Sequence, residues 1–234
     1  MSRPLIDLQA LENSPTVANC RMNRERDIRG TNSYAADLGF DVIEFLVARL
    51  HEHETVAWLD LCCGTGRALS HAAQHFQNLG VASRVSILGL DLVDMFVAVP
   101  AGIENLTFQT ASAHDWRPTR AFDLVTCVHG LHYVGDKLGL IAQIATWLSP
   151  NGFFVAHLDL NNVKLVGSKA ANSQLGRHFK GLGLEYDRRR HIISCHGCRK
   201  IDFPFHYLGA DDEAGPNFTR QPAVDSYYEP QARA

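Results

Sequence analysis

The sequence predicts an α/β fold: a mostly parallel sheet with helices on both faces and an antiparallel hairpin at its C-terminal edge. Three observations carry this. Short apolar runs alternate with segments of helical periodicity across residues 36–158; a glycine-rich turn breaks the first of those runs; and two further β-like runs, close together, end the series. A length of 234 residues suits one domain. Hydrophobic residues at 46% and charged residues at 20% are ordinary globular proportions, which excludes a disordered or fibrous chain.

The elements follow in order. Residues 1–35 are polar, with Arg21, Arg24, Arg26 and Arg29 interleaved with Glu25 and Asp27. This reads either as a solvated arm with charge pairs three and four residues apart, or as a lid over a ligand site. Between residues 36 and 51, Leu38, Val42, Ile43, Leu46, Val47 and Leu50 recur at helical spacing and predict one amphipathic helix. Residues 55–61 are short, apolar and continuous, as in a strand buried on both faces. Gly64 and Gly66 break that strand, and residues 67–79 resume a helix. Strands are expected at 84–90 and 106–110, with a short helix at 94–99 between them. Another strand is expected at 122–128, followed by a helix at 137–148 with Leu138, Ile141, Ile144 and Leu148 on one face. Ser149-Pro150-Asn151-Gly152 stops that helix and leads into a strand at 152–158. Such alternation implies right-handed crossovers. A helix near 168–180 precedes the runs 190–194 and 200–208, read as the edge hairpin that completes seven strands. The core thus spans 36–208. The tail, 209–234, rich in Asp, Pro and Gly, reads as irregular.

Composition narrows the function. A net charge of −3 argues against a nucleic-acid platform, which needs a basic excess. No run approaches the roughly 18 apolar residues of a membrane span, and the first residues lack the apolar core of a secretory signal. The six cysteines (20, 62, 63, 127, 195 and 198) read as reduced thiols of a cytoplasmic protein. Cys195-His196-Gly197-Cys198, with His191 nearby, lacks the second pair that a closed zinc site requires, so no metal is expected. A hairpin turn accounts for its glycine.

The strongest local signal is Leu59-Asp60-Leu61-Cys62-Cys63-Gly64-Thr65-Gly66-Arg67. Glycines at a strand-to-helix turn let backbone approach a ligand, and in such sheets the ligand lies beyond the carboxyl ends of the strands. Asp60 ends its strand and could meet a ligand ammonium group. Asp91 ends the next strand, where a carboxylate suits two ribose hydroxyls. A dinucleotide site would want a third glycine where Leu69 stands.

Together the stretch 60–67, Asp91, the segment Ala111-Ser112-Ala113-His114-Asp115-Trp116 and the strand 122–128 resemble the ordered motifs of class I S-adenosylmethionine-dependent methyltransferases, over most of residues 36–208. The cysteine pair before Gly-Thr-Gly is similar to the small-molecule, quinone- and natural-product-modifying type. The segments 207–212 and 222–228 resemble bacterial members of unassigned substrate. The resemblance implies a Rossmann-like seven-stranded sheet. It also implies that S-adenosylmethionine lies with its methionine portion near Asp60, His129 and the backbone of Cys62, Gly64 and Gly66. Its ribose falls on Asp91, with Leu92, Ser112 and Ala113 around the adenine. Two departures stand out: Cys62 replaces the first turn glycine, and Ser112 replaces a frequent acid that bonds the adenine amine.

Methyl transfer from a sulfonium is an in-line displacement in which positioning matters most and a base helps only if the acceptor must lose a proton. His132 and His129 are the candidate bases, in His129-Gly130-Leu131-His132-Tyr133; packing is the competing role for both. His157 and Asp159 could also face the acceptor. Tyr34 could bond the methionine carboxylate or stack near the sulfonium. No Asn/Asp-Pro-Pro-aromatic motif follows the fourth strand, so a small molecule or short peptide is the expected acceptor, and no nucleic acid. A methyltransferase-fold protein that binds the cofactor without methylating (an auxiliary subunit or cyclase-like catalyst) is the alternative. The product would be S-adenosylhomocysteine. The acceptor atom and oligomeric state are not encoded in these patterns.

Overall fold

The computed structural model describes residues 4–18, 25–168 and 171–231. Cys20, Arg21 and Arg24 lie outside the described residues. In chain order the elements are α1 (Leu8–Glu12), α2 (Pro15–Ala18), α3 (Tyr34–Leu38), α4 (Val42–Arg49), β1 (Val56–Leu61), α5 (Arg67–Asn78), β2 (Val85–Asp91), β3 (Leu106–Thr110) and β4 (Phe122–Cys127). There follow α6 (Lys137–Trp147), β5 (Leu148–His157), β6 (Val163–Leu165), α7 (Ala171–Gly181), β7 (Glu185–Asp187), β8 (Ile192–His196), β9 (Phe205–Asp211) and β10 (Asp225–Pro230). No helix among the described residues is long and apolar enough to cross a membrane.

Seven strands form one Rossmann-like sheet in the order β3-β2-β1-β4-β5-β8-β7. The first five are mutually parallel, and β8 and β7 close the edge antiparallel. Strand β1 is central and buried throughout, because its side chains serve two cores in alternation. Ala57, Leu59 and Leu61 join the apolar cluster built with α6 and α7, and Val56 and Trp58 join the one built with α3, α4 and α5. Asp60 shares the second face, so the core carries a carboxyl group. The chain order reverses direction at β1 and β4, which opens a crevice at their carboxyl ends.

Several expectations are corrected. The helix of residues 36–51 is two helices: α3 stops at Gly39, and Asp41 starts α4 by accepting the N–H groups of Ile43 and Glu44. Residues 94–99 form no helix. The Val97 N–H instead bonds the Thr65 carbonyl, and Phe96 stacks on Phe108 at 4.7 Å. The edge hairpin pairs 185–187 with 192–196, not 190–194 with 200–208. Strand β9 leaves for a separate three-stranded sheet, β6-β10-β9. The tail therefore holds a regular strand, β10, in which Asp225, Ser226 and Tyr228 are buried despite its polar composition. It is anchored by the buried Lys137, which donates to the carbonyls of Val134 and Val224 and to Ser226 Oγ. Arg26 and Arg29 form no helical charge ladder; they pair with Asp37 and Asp41 across the arm.

Candidate functional site

At the crevice lies a cleft of two lobes. Cys62, Asp91, Leu92, Tyr133 and Val17 line both. Backbone sets the shared wall. Cys62 adopts φ 55 and Gly64 φ 61, and this bend turns the Gly64 N–H onto Asp91 Oδ2 at 2.8 Å. The other Asp91 oxygen accepts the Val93 N–H at 3.1 Å. The carboxylate is thus held by backbone at the junction of the lobes. The Cys62 side chain fits because Gly130 has none: a Cβ on Gly130 would stand 2.4 Å from that of Cys62. Burial and a hydrogen bond with Cys127 push the Cys62 thiol up, the Cys127 bond being the larger cause, so it is no nucleophile.

The first lobe is closed by Tyr34, Arg26, Gly64, His129 and Gln221. Asp60 does not reach it. Its carboxyl is fully buried, taking the Tyr34 hydroxyl at 2.6 Å and the Thr126 hydroxyl, which in turn accepts Trp58 Nε1–H. Burial pushes Asp60 up to about 7 against the pull of those two hydrogen bonds. The Asp60 carboxyl thus stands behind Tyr34, which lines the cleft. Gly66 lines neither lobe; it adopts φ 71, and a Cβ there would lie 2.2 Å from the Phe108 ring.

The second lobe has apolar walls from Leu8, Leu11, Leu92 and Val134 and a polar edge from Ser112 and His114, with Ala113 beside them. The acid missing from position 112 is supplied in space. Ser112 Oγ donates to the carboxylate of Glu12, one hundred residues away on α1. The buried Nε2 of His114 has no hydrogen-bond partner. Apolar walls with a carboxylate, a hydroxyl and an unmet ring nitrogen beside them suit a purine, and Asp91, which lines both lobes, suits a ribose. The residues present thus suit a nucleoside cofactor.

His129 takes a left-handed turn (φ 60), which aims its ring at the first lobe with Nε2 3.4 Å from Asp37. Asp37 is held down to about 2: burial opposes this, but the His129 and Arg26 partners outweigh it. The His132 ring is 1% exposed and lines neither lobe. Burial pushes it well below the usual imidazole range. His157, pushed down to about 3 by burial and then by the charge of His129, stacks on His129 at 4.0 Å. Asp159 is buried and accepts the Phe218 N–H at 2.9 Å. Glu12 and Arg26 are covered only by the reading of the arm as a lid, and Tyr133 and Gln221 are not named as site residues, though Tyr133 adjoins His132.

Among the described residues no three His, Cys, Asp or Glu side chains are arranged to hold a metal ion. Gly197 is not a hairpin turn between edge strands. It follows β8 with φ 74 and bonds Gly152, and the next strand belongs to the other sheet.

A family model described as a methyltransferase domain matches residues 29–196, well over half the chain. Trans-aconitate 2-methyltransferases of Acidovorax sp. (strain JS42) and Acidovorax ebreus (strain TPSY) are 26% identical over 117 residues, 50% of this chain and 43% of each relative. The chain thus spans less than half the length of these curated relatives. Among solved structures, magnesium protoporphyrin IX methyltransferase from Synechocystis PCC 6803, with bound SAM, is 15% identical. That match has a TM-score of 0.50 and covers 84% of this chain and 100% of that one, a likeness of fold. The chain therefore belongs to the methyltransferase-domain family, the class I, S-adenosylmethionine-dependent group that its motifs resemble.

Proposed function

We propose that this cleft holds S-adenosylmethionine and that the chain transfers its methyl group to a small-molecule or short-peptide acceptor. The observation that carries the reading is the Asp91 carboxylate, fixed by the Gly64 and Val93 N–H groups between the apolar second lobe and the Tyr34 lobe. In this reading Glu12, Ser112 and His114 take the adenine edge, Asp91 takes the ribose hydroxyls, and the methionine portion lies toward Tyr34 and Arg26. When bound, the cofactor supplies an electrophilic methyl on a sulfonium. The residues orient and desolvate: Tyr34, locked by Asp60, walls off solvent, and His129 marks where an acceptor would enter. Preorganised geometry of this kind is the main lever for an in-line displacement. A net charge of −3 and the absence of an added recognition domain between 36 and 208 favour a small acceptor over nucleic acid.

Isothermal titration with S-adenosylhomocysteine tests the binding half, and product release with candidate acceptors tests the transfer half. Saturable one-to-one binding is expected. A well-folded protein that binds neither S-adenosylmethionine nor its product would overturn the reading; binding with no acceptor ever turned over would leave a cofactor-binding protein instead.

A further inference from the structure

Phe218 stands on the hairpin 216–222 and is 37% exposed. Its ring stacks on His191 with centroids 4.1 Å apart and planes 5° from parallel, and meets His132 edge-on at 5.4 Å. His129 and His157 lie 6.1 and 6.3 Å from the same ring. Four imidazoles from the β4–α6 turn, the end of β5 and the β7–β8 turn thus converge on one phenyl group. Inside this nest both nitrogens of His132 and Nδ1 of His157 are buried without a hydrogen-bond partner. An unmet buried polar atom is destabilising. Three in one place point to a partner that the chain itself does not supply.

The nest is continuous with the cleft. His129 and Gln221, the latter three residues beyond Phe218, line the lobe that holds Tyr34. The hairpin is internally bonded, Asn217 N–H to the Gln221 carbonyl and Arg220 N–H to the Asn217 carbonyl. Its tip meets the core through the Phe218 ring and the Phe218 N–H to Asp159 bond.

We propose that Phe218 occupies the acceptor's place, and that the acceptor is a planar aromatic ring bearing a neutral hydroxyl, stacked on His191 with that hydroxyl toward His132 and His157. This rests on the methyl-transfer reading above. The chemistry selects a hydroxyl for two reasons. A neutral imidazole nitrogen accepts an O–H hydrogen bond. A hydroxyl also both donates and accepts, which matches the one N–H and one bare nitrogen of each uncharged imidazole, whereas a carboxylate only accepts. Burial keeps His132 and His157 uncharged and ready to accept. In the step itself the hydroxyl oxygen bonds the methyl carbon as the methyl–sulfur bond breaks. The electron pair of that bond stays on sulfur, and the O–H proton passes along the imidazole that accepts it to solvent water. An aryl methyl ether, S-adenosylhomocysteine and a hydrated proton result.

The test titrates 2-naphthol, 2-naphthoate and 2-naphthylamine into the full chain saturated with S-adenosylhomocysteine, and into Phe218→Ala and Phe218→Leu. Saturable 2-naphthol binding is expected, with the other two probes weaker. Phe218→Ala should tighten 2-naphthol by roughly fivefold or more, because the vacated site no longer spends part of its time filled; Phe218→Leu should move it in the same direction. Equal or better binding of the carboxylate or amine overturns the proposal. So does failure of 2-naphthol to bind any of the three proteins, or weaker binding in the variants, which would make Phe218 a contact and not an occupant. Binding of S-adenosylhomocysteine reports that each protein is folded. Its failure on the unaltered chain would instead bring down the cofactor reading, and this inference with it.

Discussion

Single residues carry the cofactor reading. Asp91 is the most exacting, since its two oxygens already accept the Gly64 and Val93 N–H groups and still face the cleft. Asp91→Ala is expected to weaken S-adenosylhomocysteine by about 1–3 kcal/mol, the scale of lost charged hydrogen bonds, read by calorimetry. A folded variant with unchanged affinity would remove Asp91 from the site. Glu12 makes a more specific forecast. Its carboxylate should accept from the 6-amino group of adenine and repel a 6-oxo group, so Glu12→Gln should narrow the preference for S-adenosylhomocysteine over its deaminated analogue by roughly tenfold. A preference that stays the same means the carboxylate serves Ser112 alone. The pair Cys62 and Gly130 predicts a coupling. Gly130→Ala drives a methyl into Cys62 and should cost roughly 1–3 kcal/mol by overpacking. Introduced together with Cys62→Gly it should cost less, and additive losses in denaturant unfolding would contradict the contact.

At the level of elements, the N-terminal arm is a wall of the site and not a solvated appendage. Helix α1 brings Leu8, Leu11 and Glu12 to the second lobe. Yet Leu11 belongs to a small apolar cluster with Ala210 and Val224, apart from the two main cores. Removing residues 1–18 should therefore leave cooperative unfolding of the sheet intact while raising the S-adenosylhomocysteine dissociation constant about tenfold, because an apolar wall and the adenine-facing acid both go. Equal affinity in the shortened protein would show that the arm only rests on the surface. Residues 25–33 act differently. Glu25 and Asp27 reach Arg67, and Asp27 bonds His71 at 2.7 Å, so this stretch clamps α5 just behind the glycine turn. Spacing within the arm pointed to local charge pairs, but the real partners lie on α3, α4 and α5. An arginine's partner is set by which helix packs against it, and that is not a local property.

Across the whole molecule, the buried Asp60 couples folding to pH. Its folded value, about 7, lies above the ordinary 3.8, so the folded state holds this proton more tightly than the unfolded chain. The stabilisation is present in full below about pH 4 and is lost as pH rises through 7. Asp60→Asn removes that dependence. The stability of the unaltered chain relative to the variant should therefore fall between pH 4 and 7, by on the order of 4 kcal/mol at most. Thermal or urea unfolding across that range checks it, and a flat difference would mean that Asp60 is ionised in the fold. Such a group is tolerated because it holds Tyr34 at the cleft, and a carboxyl spent on positioning is a common cost of a preorganised site.

Two periodicities, one glycine turn and the acids that end two successive strands determined the central sheet, its parallel order and the place of the cleft. Each is local information, since side-chain alternation and turn chemistry act within a few residues of themselves. The parallel strands β1 to β4 and the Asp91 junction were legible for that reason. Only the tertiary structure decided that Asp60 is sealed behind Tyr34, that Glu12 meets Ser112 across one hundred residues, that the polar tail pairs as β10, and that four histidines close on Phe218. Those depend on which distant surfaces exclude water together, a choice made when non-local contacts close and invisible to any window along the chain.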